Sequence, residues 1–368
     1  MHVHVDVHGH AGRTREPCTC TGTSTYTCTI PYPFFYVVGA PTPSCILCAM
    51  QVVAGRAALA TSRGARRASA YVIGNFDGVH LGHRALVLAA RERATATGGA
   101  VGVLTFDPHP AKLFAPALAP PLIVSLQRRI ELLAEAGAEE IVVEPFTPEF
   151  AAIEAAAFVR EVLARDLGAR EVVVGYDFSF GRGRKGDTRF LASEGAALGM
   201  GVTVVPPVTV SGLTCSSTKV REFALEGRVE GAAMLLGRPL EVTGPVVHGA
   251  GRGRGLGIPT ANLRPEAELL PRPGIYAGRA LLLDGAGAPT AAHVCALSIG
   301  TNPTFTRGGT SALSVEAHLL DFDGDLYERR LRLEIVHRLR DEQRFESAAA
   351  LVARIHEDLS ETRRVMGH

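Results

Sequence analysis

Apolar and polar positions change period along this chain, and the changes divide it. Up to residue 49 neither the helical nor the strand period is sustained. From about residue 70, short apolar runs alternate with helical stripes. Tyr71–Phe76, Val101–Phe106, Ile141–Phe146, Glu171–Gly175 and Val202–Val205 read as strands. Between them, 82 to about 97 reads as a helix stopped by Gly98 and Gly99. Ser125 is placed to cap a helix with Ile130, Leu133 and Ala136 on one face, and Gly137 suits its end. Thr147-Pro148-Glu149 is a helix opening, followed by Phe150, Ile153, Ala157 and Phe158 as a buried stripe that Gly168 closes. Strands alternating with helices imply a parallel sheet with helices on both faces. Ligands on such sheets sit beyond the carboxyl ends of the strands.

After a helical segment at Val229–Leu236 the period becomes that of strands. Leu240–Val247, Ile275–Leu283, His293–Ile299, Ser314–Asp321 and Leu331–Val336, separated by Gly/Pro-rich turns, suggest a small antiparallel β-barrel. A C-terminal helix carries Leu351, Ile355 and Leu359 on one face, to pack against it. The expected organisation is an unstructured or spurious extension over 1–69, an α/β domain over 70–237 and a barrel domain over 238–368.

Composition narrows the class. The chain has 368 residues and a formal net charge of +1, which argues against a nucleic-acid partner held by bulk charge. No apolar run approaches the roughly 20 residues that cross a bilayer. Five of the seven cysteines precede residue 50, so the body of the chain has no disulfide framework and reads as cytoplasmic. Cys45-x-x-Cys48 has zinc-like spacing, but the second matched pair is missing. Met50 opens a new composition and is the expected true start; the Arg-rich stretch behind it has the character of a transit peptide as an alternative.

The first strand runs into Gly74-Asn75-Phe76-Asp77-Gly78-Val79-His80-Leu81-Gly82-His83. His80 and His83 share a face at a helix start, where unpaired N–H groups favour phosphate. Glycines let backbone approach a ligand. Later come Thr105–Pro110 (TFDPHP), Val174–Gly181 (VGYDFSFG) and Ser216-Ser217-Thr218-Lys219-Val220-Arg221, where Ser217 and Thr218 are candidate helix caps. Gly181–Gly186 fits G-x-G-x-x-G but lacks the first-strand position a dinucleotide fold needs, and reads as a mobile basic loop near phosphates. In the second domain, Gly249–Asn262 combines dense glycine with Pro259-Thr260-Ala261-Asn262. Extended backbone after Pro259 puts Thr260 and Asn262 on one face, an oxygen pair suited to Mg²⁺. Alternation sets Glu316 and His318 opposite Val315, Ala317 and Leu319.

These motifs, in this order, resemble the bacterial bifunctional riboflavin kinase/FMN adenylyltransferase family, also called FAD synthetase. The ten-residue histidine run resembles the HxGH nucleotidyltransferase signature, GIPTAN the riboflavin kinase segment, and Ile299–Phe305 and Val315–His318 match further along. The resemblance implies a Rossmann-like nucleotidyltransferase sheet and two ATP-dependent steps, riboflavin to FMN and FMN to FAD. It implies Gly74, Phe76, Asp77, Gly78, His80, His83, Ser217, Thr218 and Arg221 at one ATP, and Gly255, Gly257, Thr260 and Asn262 at the other. Phe106, Asp107, Pro108, His109, Pro110, Asp177 and Phe178 would hold flavin, and Thr260 and Asn262 a Mg²⁺. His80, His83, Arg221 and Glu316 are the expected catalytic residues, Glu316 as proton acceptor. The partners expected are riboflavin, FMN and ATP, with no nucleic acid and no membrane; a homo-oligomer is compatible with the sequence. A related HxGH transferase is opposed by the FDPHP loop and the barrel. A non-catalytic flavin carrier is opposed by the presence of both histidines and Glu316. A tRNA-charging enzyme is opposed by the lack of a basic surplus.

Overall fold

A computed structural model describes residues 50–60, 68–249, 257–301 and 313–368. The sequence readings for 1–49, Gly255 and 302–305 lie outside these. The α/β part is built on a parallel sheet ordered β1-β4-β3-β2-β5-β8. These strands are β1 (Gln51–Ala54), β2 (Ala68–Ile73), β3 (Ala100–Asp107), β4 (Glu140–Pro145), β5 (Glu171–Gly175) and β8 (Gly201–Val205). Short hairpins β6–β7 (Ser179–Phe180, Gly186–Asp187) and β9–β10 (Thr209–Val210, Leu213–Thr214) hang from it. Strand β2 is buried at every residue, the pattern of a sheet covered on both faces. From β2 the chain steps to β3 on one side and later to β5 on the other. That reversal opens a crevice above the carboxyl ends.

Strand β1 corrects the expectation that 1–69 stands apart. Gln51–Ala54 pairs in parallel with Glu140–Val143, and Val53 is buried. Arg56 then bonds Asp166 at 2.9 Å and also pairs with Glu144. The domain therefore reaches back at least to residue 51.

Helices follow their caps. Helix α1 (Leu81–Thr97) starts at His80 and ends at left-handed Gly98. The short α2 (Pro110–Phe114) is capped by His109, and α3 (Leu126–Ala136) lies between Ser125 and Gly137 as expected. The Thr147 opening holds, but α4 (Pro148–Ala151) lasts one turn. The chain resumes at α5 (Ala155–Ala157) and continues as a π-helical stretch, Phe158–Asp166. Helix α6 (Thr188–Ala197) has no counterpart among the sequence expectations. Helix α7 (Ser217–Glu226) is capped by Ser216, whose hydroxyl accepts from Lys219 N. Ser217 and Thr218 thus stand inside the first turn and do not cap it. Helix α8 (Val229–Leu236) leads to the second domain.

That domain is a closed barrel in the order β11-β12-β15-β14-β13-β16. Its strands are β11 (Leu240–Val247), β12 (Ala261–Leu263), β13 (Gly274–Leu283), β14 (Pro289–Thr301), β15 (Leu313–Leu319) and β16 (Arg330–Arg340). Every pairing is antiparallel. Helix α9 (Ala348–Met366) packs on it, capped by Ser347. One apolar cluster runs from Phe223 and Leu235 through Leu240 to Leu333, so the two parts share a continuous core. Around that seam Arg128 of α3 reaches Glu241 of β11 at 2.8 Å, and Arg332 of β16 reaches Glu131 of α3 at 2.9 Å.

Candidate active sites

The first site fills the crevice of the sheet, a cleft of about 450 Å³. Its floor is the end of β2, its walls the ends of β5 and β8, and its rim the start of α7. Of the residues expected there, Gly74, Phe76, Asp77, His80, His83, His109, Asp177, Phe178, Ser217, Thr218 and Arg221 line it. Gly78 lies behind the surface. Its φ is +80°, and an added Cβ would stand 2.9 Å from Ile123 Cδ1. Phe106 is buried against Phe146 and Phe150, at centroid distances of 5.5 and 5.6 Å. Asp107 faces Arg129 at 3.7 Å, and Pro110 opens α2. Of TFDPHP, only His109 lines the cleft. Gly181–Gly186 is part of the β6–β7 hairpin, braced by Arg182 on Glu154 at 3.3 Å and Arg184 on Ser179 at 2.8 Å; it lines no part of the cleft.

The histidines stack face to face, with centroids 3.6 Å apart and 21° between planes. His80 Nδ1 accepts from His83 N at 3.4 Å, capping α1 and leaving the ring proton on Nε2. Burial first, then the Arg238 cation, brings the His80 pKa down to about 4. The His83 pKa is likewise lowered, by burial first, then by His80, Arg129 and Arg238, and Phe76 stands edge-on to it at 5.2 Å. At neutral pH both rings are therefore uncharged. They offer a phosphate N–H donors rather than cations.

Cationic help comes with a qualification. Arg221 Nη2 donates to the buried Asp77 carboxylate at 2.5 Å, and its Nε donates to Pro121 O at 2.8 Å. Asp77 also accepts from Ile123 N at 3.0 Å. Asp77 is thus an anchor for Arg221 and the 122–124 segment. Arg129, which no sequence motif singles out, is buried and donates to Asn75 O at 2.8 Å.

The second site is a cavity of about 280 Å³ between the barrel and α9. Thr260, Glu316 and His318 line one side, and Arg340, Leu351, Ile355 and Leu359 line the other. Strand β15 alternates as expected, with Val315, Ala317 and Leu319 buried. Thr260 Oγ1 donates to Glu316 Oε2 at 3.2 Å, and His318 Nδ1 lies 2.7 Å from Pro259 O. Asn262 is paired in register with Glu316 on one side and Val247 on the other. A Cβ at Gly249 would reach the Asn262 amide at 2.2 Å, so glycine there makes room for it. Gly257 is exposed, with φ +75°. Among the described residues no group of three or more His, Cys, Asp or Glu is placed to hold a metal. Thr260 and Glu316 offer oxygens of the kind Mg²⁺ takes alongside phosphates, while Asn262, opposite Glu316 in register, is not among the residues that line the cavity.

Comparison with known proteins agrees with both halves. The FAD synthetase family profile matches residues 62–219 and the riboflavin kinase profile residues 236–366. A bifunctional riboflavin kinase/FMN adenylyltransferase from Pseudomonas fluorescens is 38% identical over 85% of this chain and 97% of its own length. The protein of the same name from Escherichia coli K12 is 37% identical over 80% of this chain and 92% of its own. A crystal structure described as a macrolide-efflux protein from Streptococcus pneumoniae is similar in fold, with a TM-score of 0.73, 29% identity and coverage of 86% of this chain and 99% of that one. No helix among the described residues of this chain is long and apolar enough to cross a membrane. With both profiles matched in order and relatives aligned over nearly their full length, the chain belongs to the bifunctional riboflavin kinase/FMN adenylyltransferase family.

Proposed function

We propose that the barrel phosphorylates riboflavin to FMN and the α/β domain adenylylates FMN to FAD, each with ATP. The observation that carries this is the chemical contrast between the two cavities. One offers uncharged N–H donors at a helix start, with the Asp77 carboxylate bonded to Arg221 and backbone N–H groups and Asp177 exposed at the cleft wall. The other offers Glu316 beside a hydroxyl.

Adenylyl transfer needs no base. An FMN phosphate oxygen, largely dianionic at pH 7, attacks the α-phosphorus of ATP, and pyrophosphate leaves with the electrons of the broken P–O bond. The protein must align the two phosphates and meet charge as it develops. His80 and His83 donate N–H groups, the amino end of α1 adds its backbone donors, and Arg221 supplies a cation through Nη1. Gly74, Phe76, Ser217 and Thr218 shape the ATP side. His109, Asp177 and Phe178 stand where a flavin would lie. Phe106, Asp107, Pro108 and Pro110 act behind it, by setting the loop that carries His109.

Riboflavin brings a neutral hydroxyl, so its phosphorylation does need a proton acceptor. The hydroxyl oxygen attacks the γ-phosphorus, its proton passes to Glu316, and ADP leaves. Thr260 orients the Glu316 carboxylate by the hydrogen bond they share. Thr260 and Asn262 would hold a Mg²⁺, which offsets phosphate charge when bound. Gly257 and Gly255 belong to the segment that would approach the nucleotide. Two buried free thiols, Cys215 and Cys295, fit a cytoplasmic home.

The test is direct. Purified protein with riboflavin, ATP and Mg²⁺ should yield FMN and FAD on chromatography. His83→Ala should stop at FMN, and Glu316→Gln should convert added FMN to FAD but leave riboflavin untouched. FAD formation at the normal rate by His83→Ala would refute the first site, and FMN formation by Glu316→Gln the second.

A further inference from the structure

The turn that presents the histidines is held by side chains from far away in sequence. Phe76, Gly78 and Val79 all have positive φ, at +52°, +80° and +40°. Such backbone is unfavourable for phenylalanine and valine and persists only where its surroundings over-determine it. The carbonyls of this turn lie ahead of the α1 ladder and need other partners. Asn75 O takes Arg129 at 2.8 Å, Phe76 O takes Val79 N at 3.2 Å, and Asp77 O takes the Ser217 hydroxyl at 2.8 Å. Among the described residues, Gly78 O and Val79 O are left to one residue. Arg238 Nη2 donates to Gly78 O at 2.8 Å and Nη1 to Val79 O at 3.4 Å.

Arg238 stands between α8 and β11, at the entrance to the barrel. Its side chain is 12% exposed, and it is held in place electrostatically by Glu241, whose Oε2 lies 3.9 Å from Arg238 Nε. Glu241 is itself buried and fixed by Arg128. Barrel strand β11 is therefore linked through Glu241 and Arg238 to the two carbonyls that immediately precede His80.

We propose that Arg238 is a positioning residue for adenylyl transfer: from the barrel side it clamps Gly78 O and Val79 O, and so sets where His80 and His83 present their N–H groups. The inference rests on the adenylyl-transfer reading of the first cavity. It assigns part of that site's geometry to a residue outside the cleft. Burial chiefly keeps both imidazoles uncharged, and this cation adds to the effect.

The experiment compares Arg238→Gln, Arg238→Lys and His83→Ala in the full chain, measuring FMN adenylylation and riboflavin phosphorylation separately. Arg238→Gln should lower kcat for FAD formation by about 10- to 100-fold, the scale of an ångström-level misplacement. KM for ATP should stay within about 3-fold, because no cleft contact is removed, and phosphorylation should hold within about 2-fold. Arg238→Lys keeps a charged donor and should recover part of the loss. Adenylylation unchanged in Arg238→Gln while His83→Ala abolishes it overturns the clamp alone. Adenylylation unchanged in both overturns the site assignment and the clamp with it. Equal loss of both activities in Arg238→Gln, or no recovery with lysine, marks Arg238 as a general brace and overturns the positioning role.

Discussion

Arg221 and Asp77 form a buried ion pair, 2.5 Å from Nη2 to Oδ2, in the floor of the first cleft. The pair joins the start of α7 to the loop after β2, 144 residues apart in sequence. Removing one partner of such a pair leaves a buried charge unmatched, which typically costs ~3–5 kcal/mol. Asp77→Ala and Arg221→Met should each destabilise the protein on that scale in urea denaturation. The double variant should lose clearly less than their sum, because neither leaves an orphan charge for the other. Strict additivity would show that the two side chains do not depend on each other.

The neutral histidines make stability depend on pH with a definite sign. A folded His80 pKa of about 4, against an ordinary 6.5, means that the unfolded chain binds the proton more readily. Stability is full above pH 6.5 and is lost as pH falls toward 4. His80 alone should cost about 2 kcal/mol at pH 5. His83 is shifted in the same direction and adds to the slope. His80→Asn keeps an acceptor for the His83 N–H and removes the titration. Its unfolding midpoint should therefore vary less between pH 7 and pH 5 than that of the natural chain. An equal or steeper dependence would place the acid sensitivity elsewhere.

The elements that can be read from sequence are those whose causes are local. Ser125 and Gly137 bracket α3 because a cap acts within four residues, and β2 reads as a strand because it is apolar throughout. Strand β1 escapes such a reading: four residues in an Ala/Arg-rich stretch carry no period, and its partner lies near residue 140. The three-residue β12 is legible only through Pro259, which extends the backbone that follows it. Phe106 shows the limit on the site side. Its motif implies a ligand contact, but a strand's alternation does not say which face is core, and Phe146 and Phe150 claim it. Arg129, Arg238 and Glu241 carry no local signature, since each acts through a partner brought close only by the fold.

Two glycines with similar backbone should respond differently to substitution. Gly78 and Gly257 have φ of +80° and +75°, so alanine at either bears ~1–2 kcal/mol of left-handed strain. At Gly257 a new Cβ meets nothing within 4 Å among the described residues, whereas at Gly78 it meets Ile123 Cδ1 at 2.9 Å. Gly78→Ala should therefore lower thermal stability more than Gly257→Ala. It should also reduce adenylylation selectively, because Ile123 is tied through its backbone N–H to Asp77. Equal losses of stability would mean that Ile123 yields without cost.

The wall of the second cavity that faces Glu316 carries a charged contact. Arg340 of β16 grips Asp358 of α9 by two nitrogens, with Nε to Oδ1 at 2.8 Å and Nη2 to Oδ2 at 2.6 Å. Both residues line the cavity, and Asp358 is buried. The apolar stripe of α9 reaches the barrel beside this pair. The pair therefore fixes how closely Ile355 and Leu359 approach Thr260 and Glu316 across the cavity. Asp358→Asn keeps the shape and removes the charge, weakening a charge-assisted bond of ~1.5–3 kcal/mol. Riboflavin should bind about 10-fold more weakly, as read from quenching of its fluorescence on titration with protein. FMN adenylylation, assigned to the other cavity, should be unaffected. Unchanged riboflavin affinity would show that the apolar stripe and the Arg363–Asp321 pair hold α9 without Asp358.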